Sequence, residues 1–229
     1  MVIEFATRER FSYREHLPTI REMFFKIDDR FRTAALNKIS DSAGVPVIGN
    51  ANLVLVGVHV RRTDFVHSAR REGGRLATGD FFRKAMEWFE RKYATSERRV
   101  MFVVVSDDMD WYVERLESAM VGAQNNLSLK FFAKPRCRQN FRAHSPYDVH
   151  LLGTHDTDGI SKEESLGIDL AMMLECHHAI LTHGTLGMWI GMLSRGDVVM
   201  ADDAAMRKPL LEVQLAKKAD LGWKFMDYT

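Results

Sequence analysis

Few cysteines, almost no net charge and short apolar runs set the first limits on this sequence. Its 229 residues include only Cys137 and Cys176, too few for a disulfide framework or a cysteine metal site, although one bridge remains possible. The 32 basic and 31 acidic residues give a formal charge of +1, so no overall field attracts nucleic acid or anionic lipid. Any recognition of phosphate must therefore be local.

Membrane and export signals are also missing from the printed chain. The apolar runs, Leu53–Val58 among them, are far shorter than the roughly 18 residues that span a bilayer. Residues Met1–Arg10 hold two acids and two arginines and lack the apolar core of a signal peptide. We therefore expect no transmembrane helix and no export signal in this sequence.

The common nucleotide and metal motifs are absent as well. No G-x-G-x-x-G follows the first predicted strand, and no P-loop lysine accompanies the later glycine turn, which weakens dinucleotide-binding and ATPase interpretations. The histidines lack the spacing of a zinc site. We therefore expect no metal site and no cofactor.

The sequence does contain an alternation of apolar strands with amphipathic helices. Residues 12–39 have helical periodicity, and a linker follows at 41–46. The predicted strands are Leu53–Val60, Val100–Val105, Leu127–Phe132, Ala179–Thr182 and Val198–Ala201; the predicted helices are Asp80–Tyr93, Trp111–Met120, Glu163–His177 and Leu186–Leu193; a long loop is expected at Ala133–Gly159, and a closing helix and tail at Met206–Thr229.

This alternation predicts an α/β fold with a Rossmann-like parallel sheet and helices on both faces. We divide the chain into a helical N-terminal segment, residues 1–50, and a Rossmann-like domain, residues 51–229. Ligands of such sheets bind beyond the carboxyl ends of the strands. The residues that follow each strand are therefore the candidates for a site.

Two arginines follow the first strand. If strand geometry continues to Arg62, His59 and Arg61 share one face as two cationic donors. The planar guanidinium of Arg61 suits two phosphate oxygens. Arg62 then faces the other way, and we expect it to pair with an acidic side chain such as Asp64 or Asp107. In the alternative interpretation, both arginines merely end the strand and contact solvent.

Acidic residues follow the second strand. Asp108 and Asp110 have the Asp-x-Asp spacing with which metal-dependent glycosyltransferases hold Mg²⁺ or Mn²⁺. Alternatively, Ser106, Asp107 and Asp108 cap the next helix and fill its first turn. The sequence is compatible with both interpretations.

A glycine turn follows the strand at Ala179–Thr182. Gly184 and Thr185 precede a predicted helix, where backbone N–H groups at the positive end of the helix dipole suit an anion. The hydroxyl of Thr185 could add a further donor. A plain connection between strand and helix has the same pattern.

Taken together, three segments in this order resemble the galactoside α-1,2-fucosyltransferases of animals and their bacterial relatives. The first segment looks like the His-x-Arg-Arg-x-Asp signature of fucosyltransferases. The resemblance covers residues 54–201. Its segments are Val56–Asp64; Phe82–Phe89 followed by Val103–Asp108; and Asp169–Met173 continued by Thr182–Trp189.

The resemblance implies the nucleotide-binding half of a GT-B glycosyltransferase that uses GDP-β-L-fucose and a galactose-terminated glycan. It implies inverting transfer of L-fucose to the 2-hydroxyl of the galactoside, without a metal or cofactor. It further implies the Golgi membrane or lumen as the location. Residues 1–50 would then be the remnant of an acceptor-side domain.

The same resemblance implies roles for individual residues. Arg61 would hold the β-phosphate, and His59 would lie against the nucleotide. Asp169 would bind the guanine, although it otherwise looks like an N-cap that opens a helix. Asp64 is the candidate base, with ion pairing as its alternative role. The expected substrate-binding residues are His59, Arg61, Arg62, Ser106, Asp107, Asp169, Gly184 and Thr185, and the expected catalytic residues are Arg61 and Asp64.

The chain departs from the family pattern in three places. Residues 1–50 are shorter than the family's N-terminal half, and the loop at Lys134–Gly159 is longer than its usual connection. His183 and Met188 stand where an apolar residue and an aromatic residue are expected. Two alternatives therefore stay open: a metal-dependent Asp-x-Asp glycosyltransferase, and an inactive domain that binds a nucleotide or glycan.

Overall fold

Helices and strands alternate along the chain in a computed structural model, which describes residues 13–24, 26–71, 75–108, 111, 147–153, 159–202 and 211–227. None of the helices in these ranges is long and apolar enough to cross a membrane. The helices are α1 (Tyr13–Phe24), α2 (Asp29–Ala43), α3 (Phe65–Arg71), α4 (Gly79–Tyr93), α5 (Lys162–Glu175), α6 (Thr185–Leu193) and α7 (Leu211–Lys218). The strands are β1 (Leu53–Val60), β2 (Arg99–Ser106), β3 (Asp148–Leu151), β4 (His178–Leu181), β5 (Val198–Asp202) and β6 (Lys224–Asp227).

The six described strands form one parallel sheet in the order β3-β2-β1-β4-β5-β6. In the register of β1, Leu53 lies opposite Arg99 of β2, and Val56 lies opposite His178 of β4. The chain winds outwards from β1 to β3, returns to β4 on the other side of β1, and continues outwards to β6. The predicted Rossmann-like fold is confirmed. Its winding reverses between β1 and β4, which opens a crevice at the carboxyl ends of these two strands.

The central strand β1 is buried along its whole length. Its alternate side chains point to opposite faces of the sheet. Val56 and Val58 pack in a cluster with Phe82 of α4. Leu55 packs on the opposite face, in a cluster with Ile39 of α2. This two-sided burial explains the unbroken apolar run, which is typical of a central parallel strand.

Helix α2 packs against α5 on one face of the sheet. A Cβ atom on Gly167 would lie 2.5 Å from Cε2 of Phe31, so glycine at this position leaves room for the ring against α5. The side chain of Asp28 caps the start of α2, and Gly44 ends it with a φ of 70°. The predicted break at residues 41–46 therefore occurs at Gly44. The assignment of residues 1–50 to an acceptor-side segment stays a prediction.

Two strands lie where the sequence predicts none. Strand β3 lies inside the predicted loop at Ala133–Gly159, and β6 lies in the predicted closing tail, after α7. Both predictions are wrong for the same reason: each strand has four residues, and charged side chains such as Asp148 and Lys224 interrupt the apolar pattern. The candidate strand Leu127–Phe132 lies outside the described residues, as does all of the predicted helix Trp111–Met120 except its first residue.

Cys176 lies buried at the end of α5. Its thiol donates a hydrogen bond to the backbone oxygen of Met172, at 3.2 Å, and burial raises the pKa of the thiol. Such a thiol behaves as a core residue. Cys176 is thus a free thiol, and Cys137, the other end of the bridge that the sequence allows, lies outside the described residues.

Candidate functional site

The ends of β1 and β4 are joined by Thr182. Its backbone N–H donates to the oxygen of His59 at 3.2 Å, and its hydroxyl accepts from the N–H of Arg61 at 2.9 Å. Strand β1 ends at Val60, as predicted, and the chain turns at residues 63–64, after both arginines. The expected alternation of side chains is confirmed: Arg61 lies near Gly184, on the side of His59, and Arg62 lies on the other side, at Ala77.

Arg61 lies at the mouth of the crevice with its side chain 40% exposed. Its Nη2 is 2.8 Å from Oδ2 of Asp64, and its Nη1 is 3.1 Å from Oδ2 of Asp107. A Cβ atom on Gly184 would lie 3.7 Å from Cγ of Arg61. The structure therefore brings together Arg61 and the glycine turn, which are more than 100 residues apart in the sequence.

The carboxylate of Asp107 accepts hydrogen bonds from groups of the turn after β1. Its Oδ1 accepts from the backbone N–H of Arg62 at 2.8 Å. Its Oδ2 accepts from the backbone N–H of Thr63 at 3.2 Å and from the Thr63 hydroxyl at 2.6 Å. Asp107 thus holds the turn that carries Arg61.

The guanidinium of Arg62 contacts Trp111, Asp108 and Ala77, away from Arg61. Its guanidinium carbon lies 3.4 Å from the ring centroid of Trp111, its Nε is 3.8 Å from Oδ2 of Asp108, and its Nη1 donates to the oxygen of Ala77 at 3.4 Å. The prediction that Arg62 pairs with an acidic side chain is confirmed, with Asp108 as the partner. The two acids given as examples, Asp64 and Asp107, pair with Arg61 instead.

His59 is 5% exposed and faces the first turn of α6. A Cβ atom on Gly187 would lie 3.2 Å from its Nδ1, and this nitrogen has no hydrogen-bond partner within the described residues. Burial is the main cause that lowers the pKa of His59 to about 4; Asp107 raises the pKa and Arg61 lowers it, both by less. The expectation of two cationic donors is therefore wrong for His59, which is neutral at pH 7.

Helix α6 begins at the crevice, directly after Gly184. This glycine has a φ of 90°, a backbone conformation that other residues rarely adopt. Thr185 opens the helix and is exposed, whereas His183 is fully buried and stacks on Phe65, with 4.5 Å between ring centroids. The N–H groups of the first turn of α6 therefore lie at the same end of the sheet as Arg61.

Asp169 lies inside α5 and does not open it. The N-cap of this helix is Ser161, whose hydroxyl accepts from the N–H of Glu164 at 3.1 Å, so the N-cap interpretation of Asp169 is wrong. Asp169 is half-buried, one helical turn before Met173. Because Met173 contacts Gly57 of β1, the same helix face places Asp169 towards the carboxyl end of β1.

Ser106 and Asp108 act locally after β2. The hydroxyl of Ser106 accepts from the N–H of Asp108 at 3.0 Å, and Oδ1 of Asp108 accepts from the N–H of Trp111 at 3.1 Å. This is the capping arrangement. Asp110 lies outside the described residues. Within the described part of the chain, no three His, Cys, Asp or Glu side chains lie close enough to share a metal ion.

Two residues of the site were missed by the sequence analysis. Thr182 looks like the last residue of a strand, and Phe65 looks like a plain helix residue. Thr182 proves to join the ends of β1 and β4, and Phe65 covers His183. No signal in the sequence identifies either role, because both depend on contacts between segments more than 100 residues apart.

A protein-family model and several curated proteins match this chain. The model of glycosyl transferase family 11 matches residues 5–128, more than half of the chain. The galactoside alpha-(1,2)-fucosyltransferase 1 of Sus scrofa is 30% identical over 176 residues, which cover 76% of this chain and 38% of that protein. The same enzyme of Aotus azarae is 33% identical over 152 residues, covering 66% of this chain and 32% of that protein.

A second type of relative matches in the same way. The galactoside alpha-(1,2)-fucosyltransferase 2 of Pongo pygmaeus is 30% identical over 172 residues, which cover 74% of this chain and 40% of that protein. No solved structure matches. The chain spans 32–40% of the length of these three curated relatives. From the family model and these relatives, the chain belongs to glycosyl transferase family 11.

Proposed function

We propose that this chain is the donor-binding part of a fucosyltransferase that moves L-fucose from GDP-β-L-fucose to the 2-hydroxyl of a terminal galactoside. The observation that carries the proposal is the position of Arg61 beside Gly184, at the crevice between β1 and β4. A fixed guanidinium next to a helix N-terminus suits a diphosphate.

The diphosphate is also the leaving group of the proposed reaction. Negative charge grows on GDP as the bond to fucose breaks, and donors already held in place stabilise this charge without rearranging. Arg61 supplies a permanent cation, and the first turn of α6 supplies backbone N–H groups. In this proposal the reaction uses neither a metal nor a cofactor.

The remaining roles follow the family resemblance. His59 lies against the nucleotide as a neutral imidazole, Asp169 binds the guanine from α5, and Thr185 contacts phosphate. Transfer with inversion needs a base for the proton of the acceptor hydroxyl. Asp64 is our candidate, because it is 68% exposed and lies next to Arg61. The proposed location is the Golgi, which imaging of the tagged protein beside a Golgi marker would check.

The decisive experiment is the transfer of radiolabelled fucose from GDP-fucose to lactose, with and without EDTA. We expect fucosylated lactose in both arms. Transfer that stops with EDTA would favour the Asp-x-Asp mechanism of Asp108 and Asp110. Absence of transfer, combined with heat of GDP binding in calorimetry, would favour the inactive binding domain.

The Arg61→Ala variant tests the phosphate contact itself. Loss of a charge-assisted contact that is partly exposed costs about 1.5–3 kcal/mol, so we expect GDP affinity to fall roughly tenfold to a hundredfold. Arg83→Ala is the matched control, because Arg83 pairs with Asp80 and Glu87 on α4. Equal GDP affinity in Arg61→Ala and the parent would contradict the assignment.

A further inference from the structure

The carboxylate of Asp107 is surrounded by donors from the protein itself. Three hydrogen bonds reach its two carboxylate oxygens, from the N–H groups of Arg62 and Thr63 and from the Thr63 hydroxyl. The guanidinium of Arg61 adds an ion pair at 3.1 Å. A carboxylate accepts about four hydrogen bonds, so these protein donors already occupy the sites at which a ligand would bind Asp107.

These bonds hold the turn after β1, residues 61–64, in place against the end of the neighbouring strand β2. The backbone of residues 61–64 is neither helix nor strand, and its N–H groups need partners from elsewhere. Asp107 supplies them from the end of β2, and its own N–H donates to the oxygen of Val60 at 3.4 Å. The turn is thereby tied to the sheet on the side of β2, as Thr182 ties it on the side of β4.

The two carboxylates that contact Arg61 differ in how firmly they are held. Asp107 is 19% exposed and anchored by its backbone contacts, whereas Asp64 is 68% exposed and belongs to the same turn as Arg61. An exposed ion pair of this kind contributes little and exchanges easily. An incoming anion therefore replaces Asp64 and not Asp107.

We propose that Asp107 is a positioning residue: it holds the turn and one edge of the Arg61 guanidinium, and so presents the other edge, now covered by Asp64, to the diphosphate. This inference rests on the proposed function, since it takes the ligand of Arg61 to be the donor diphosphate. It assigns Asp107 an action through Arg61 in place of the direct substrate contact that the resemblance implied.

Opposite effects of two similar substitutions test this proposal. Asp64→Asn and Asp107→Asn each remove one negative charge beside the same guanidinium, and a pure charge effect would strengthen the binding of an anion in both. We expect the GDP affinity of Asp64→Asn to rise up to about fivefold, because a competitor for Arg61 is removed. We expect that of Asp107→Asn to fall about tenfold, because the turn loses its anchor.

The experiment is calorimetric titration with GDP of the parent, the two variants and the charge-matched control Asp80→Asn, whose carboxylate lies on α4. Unchanged or tighter GDP binding by folded Asp107→Asn would overturn the inference alone. A parent that binds neither GDP nor inorganic pyrophosphate would overturn the proposed function as well. If Asp107→Asn does not fold, Thr63→Val removes only the bond at 2.6 Å; weaker GDP binding then supports the inference, and parental binding overturns it.

Two further readouts separate positioning from a loss of stability. In the Arg61→Ala background, Asp107→Asn should cause no further loss of GDP affinity, since its action passes through Arg61. A full additional loss would overturn the inference. In the transfer assay, we expect Asp107→Asn to raise the KM for GDP-fucose, whereas partial unfolding lowers the apparent kcat and leaves KM unchanged.

Discussion

The neutral, buried state of His59 leads to a prediction about stability at low pH. The imidazole is enclosed between β1 and the first turn of α6, and its pKa is about 4 in the folded protein, against 6.5 for an exposed histidine. The unfolded chain therefore binds more protons than the folded protein between these two values. By linkage, the stability that depends on neutral His59 is present above pH 6.5 and is lost as the pH falls towards 4.

The size of this loss follows from the two pKa values. A histidine that titrates at 6.5 when unfolded and at about 4 when folded contributes about 3 kcal/mol in total. About 2 kcal/mol of this is lost between pH 7 and pH 4.5. For a domain of ordinary stability, such a loss is a large fraction of the total.

The assay is urea unfolding of the parent and of His59→Leu at pH 7 and pH 4.5, followed by circular dichroism. Leucine fills the space without a titrating group, so its free energy of unfolding should fall by about 2 kcal/mol less than that of the parent. His178 also has a pKa of about 4, but it is present in both proteins and cancels in the comparison.

The control and the refuting result use the same measurement. His67→Gln removes an imidazole that is exposed on α3, and it should lose as much stability as the parent does. If His59→Leu loses as much stability as the parent between the two pH values, then His59 is not held neutral by burial. Its assignment as an uncharged group beside Arg61 would then be wrong.

Gly184, the N-cap of α6, and Gly191 within α6 give two predictions that urea unfolding at pH 7 can check. Gly184→Ala should cost about 1–3 kcal/mol, because a φ of 90° is strained for any side chain; an unchanged midpoint would contradict the left-handed N-cap. Gly191→Ala should cost a similar amount by overpacking, since its Cβ would lie 2.5 Å from Trp223 and 2.8 Å from Leu181. Parental stability in Gly191→Ala would show that the Trp223 ring does not pack there.

The central part of the fold could be predicted because its elements are long and uniform in pattern. Strands β1 and β2 are almost entirely buried, and their valine-rich runs have no helical interpretation. Helix α4 was predicted within one residue because five buried side chains recur on one face, among them Phe82 and Phe89. In these elements local pattern and tertiary burial agree.

Strand β3 could not be predicted because its stability depends on contacts outside its own four residues. The ring of His150 lies between the hydroxyl of Ser42 on α2, at 2.5 Å, and the carboxylate of Asp148, at 2.7 Å. Asp148 also pairs with Arg99 of β2 at 3.5 Å. These polar contacts replace the apolar alternation by which a strand is recognised, and the sequence shows none of them.

The sequence points to the residues of the candidate site but not to the contacts between them. Arg61 and Gly184 were chosen because each follows a strand, and they become neighbours because the sheet winds in opposite directions from β1 and β4. Asp64 and Asp107, expected near Arg62, pair with Arg61 because Asp64 lies in the turn at residues 63–64 and Asp107 binds the same turn. The sequence pattern of a strand does not predict the path of such a turn.

The neutral state of His59 decides what kind of site the crevice is. A charged His59 would form a paired cationic surface with Arg61, which lies on the same side of β1. The structure instead places the exposed guanidinium of Arg61 near a buried, neutral imidazole, and the carboxylate of Asp107 holds the turn. The affinity for an anion then depends on how firmly Arg61 is oriented more than on the number of positive charges, and the opposite effects expected for Asp64→Asn and Asp107→Asn follow from that dependence.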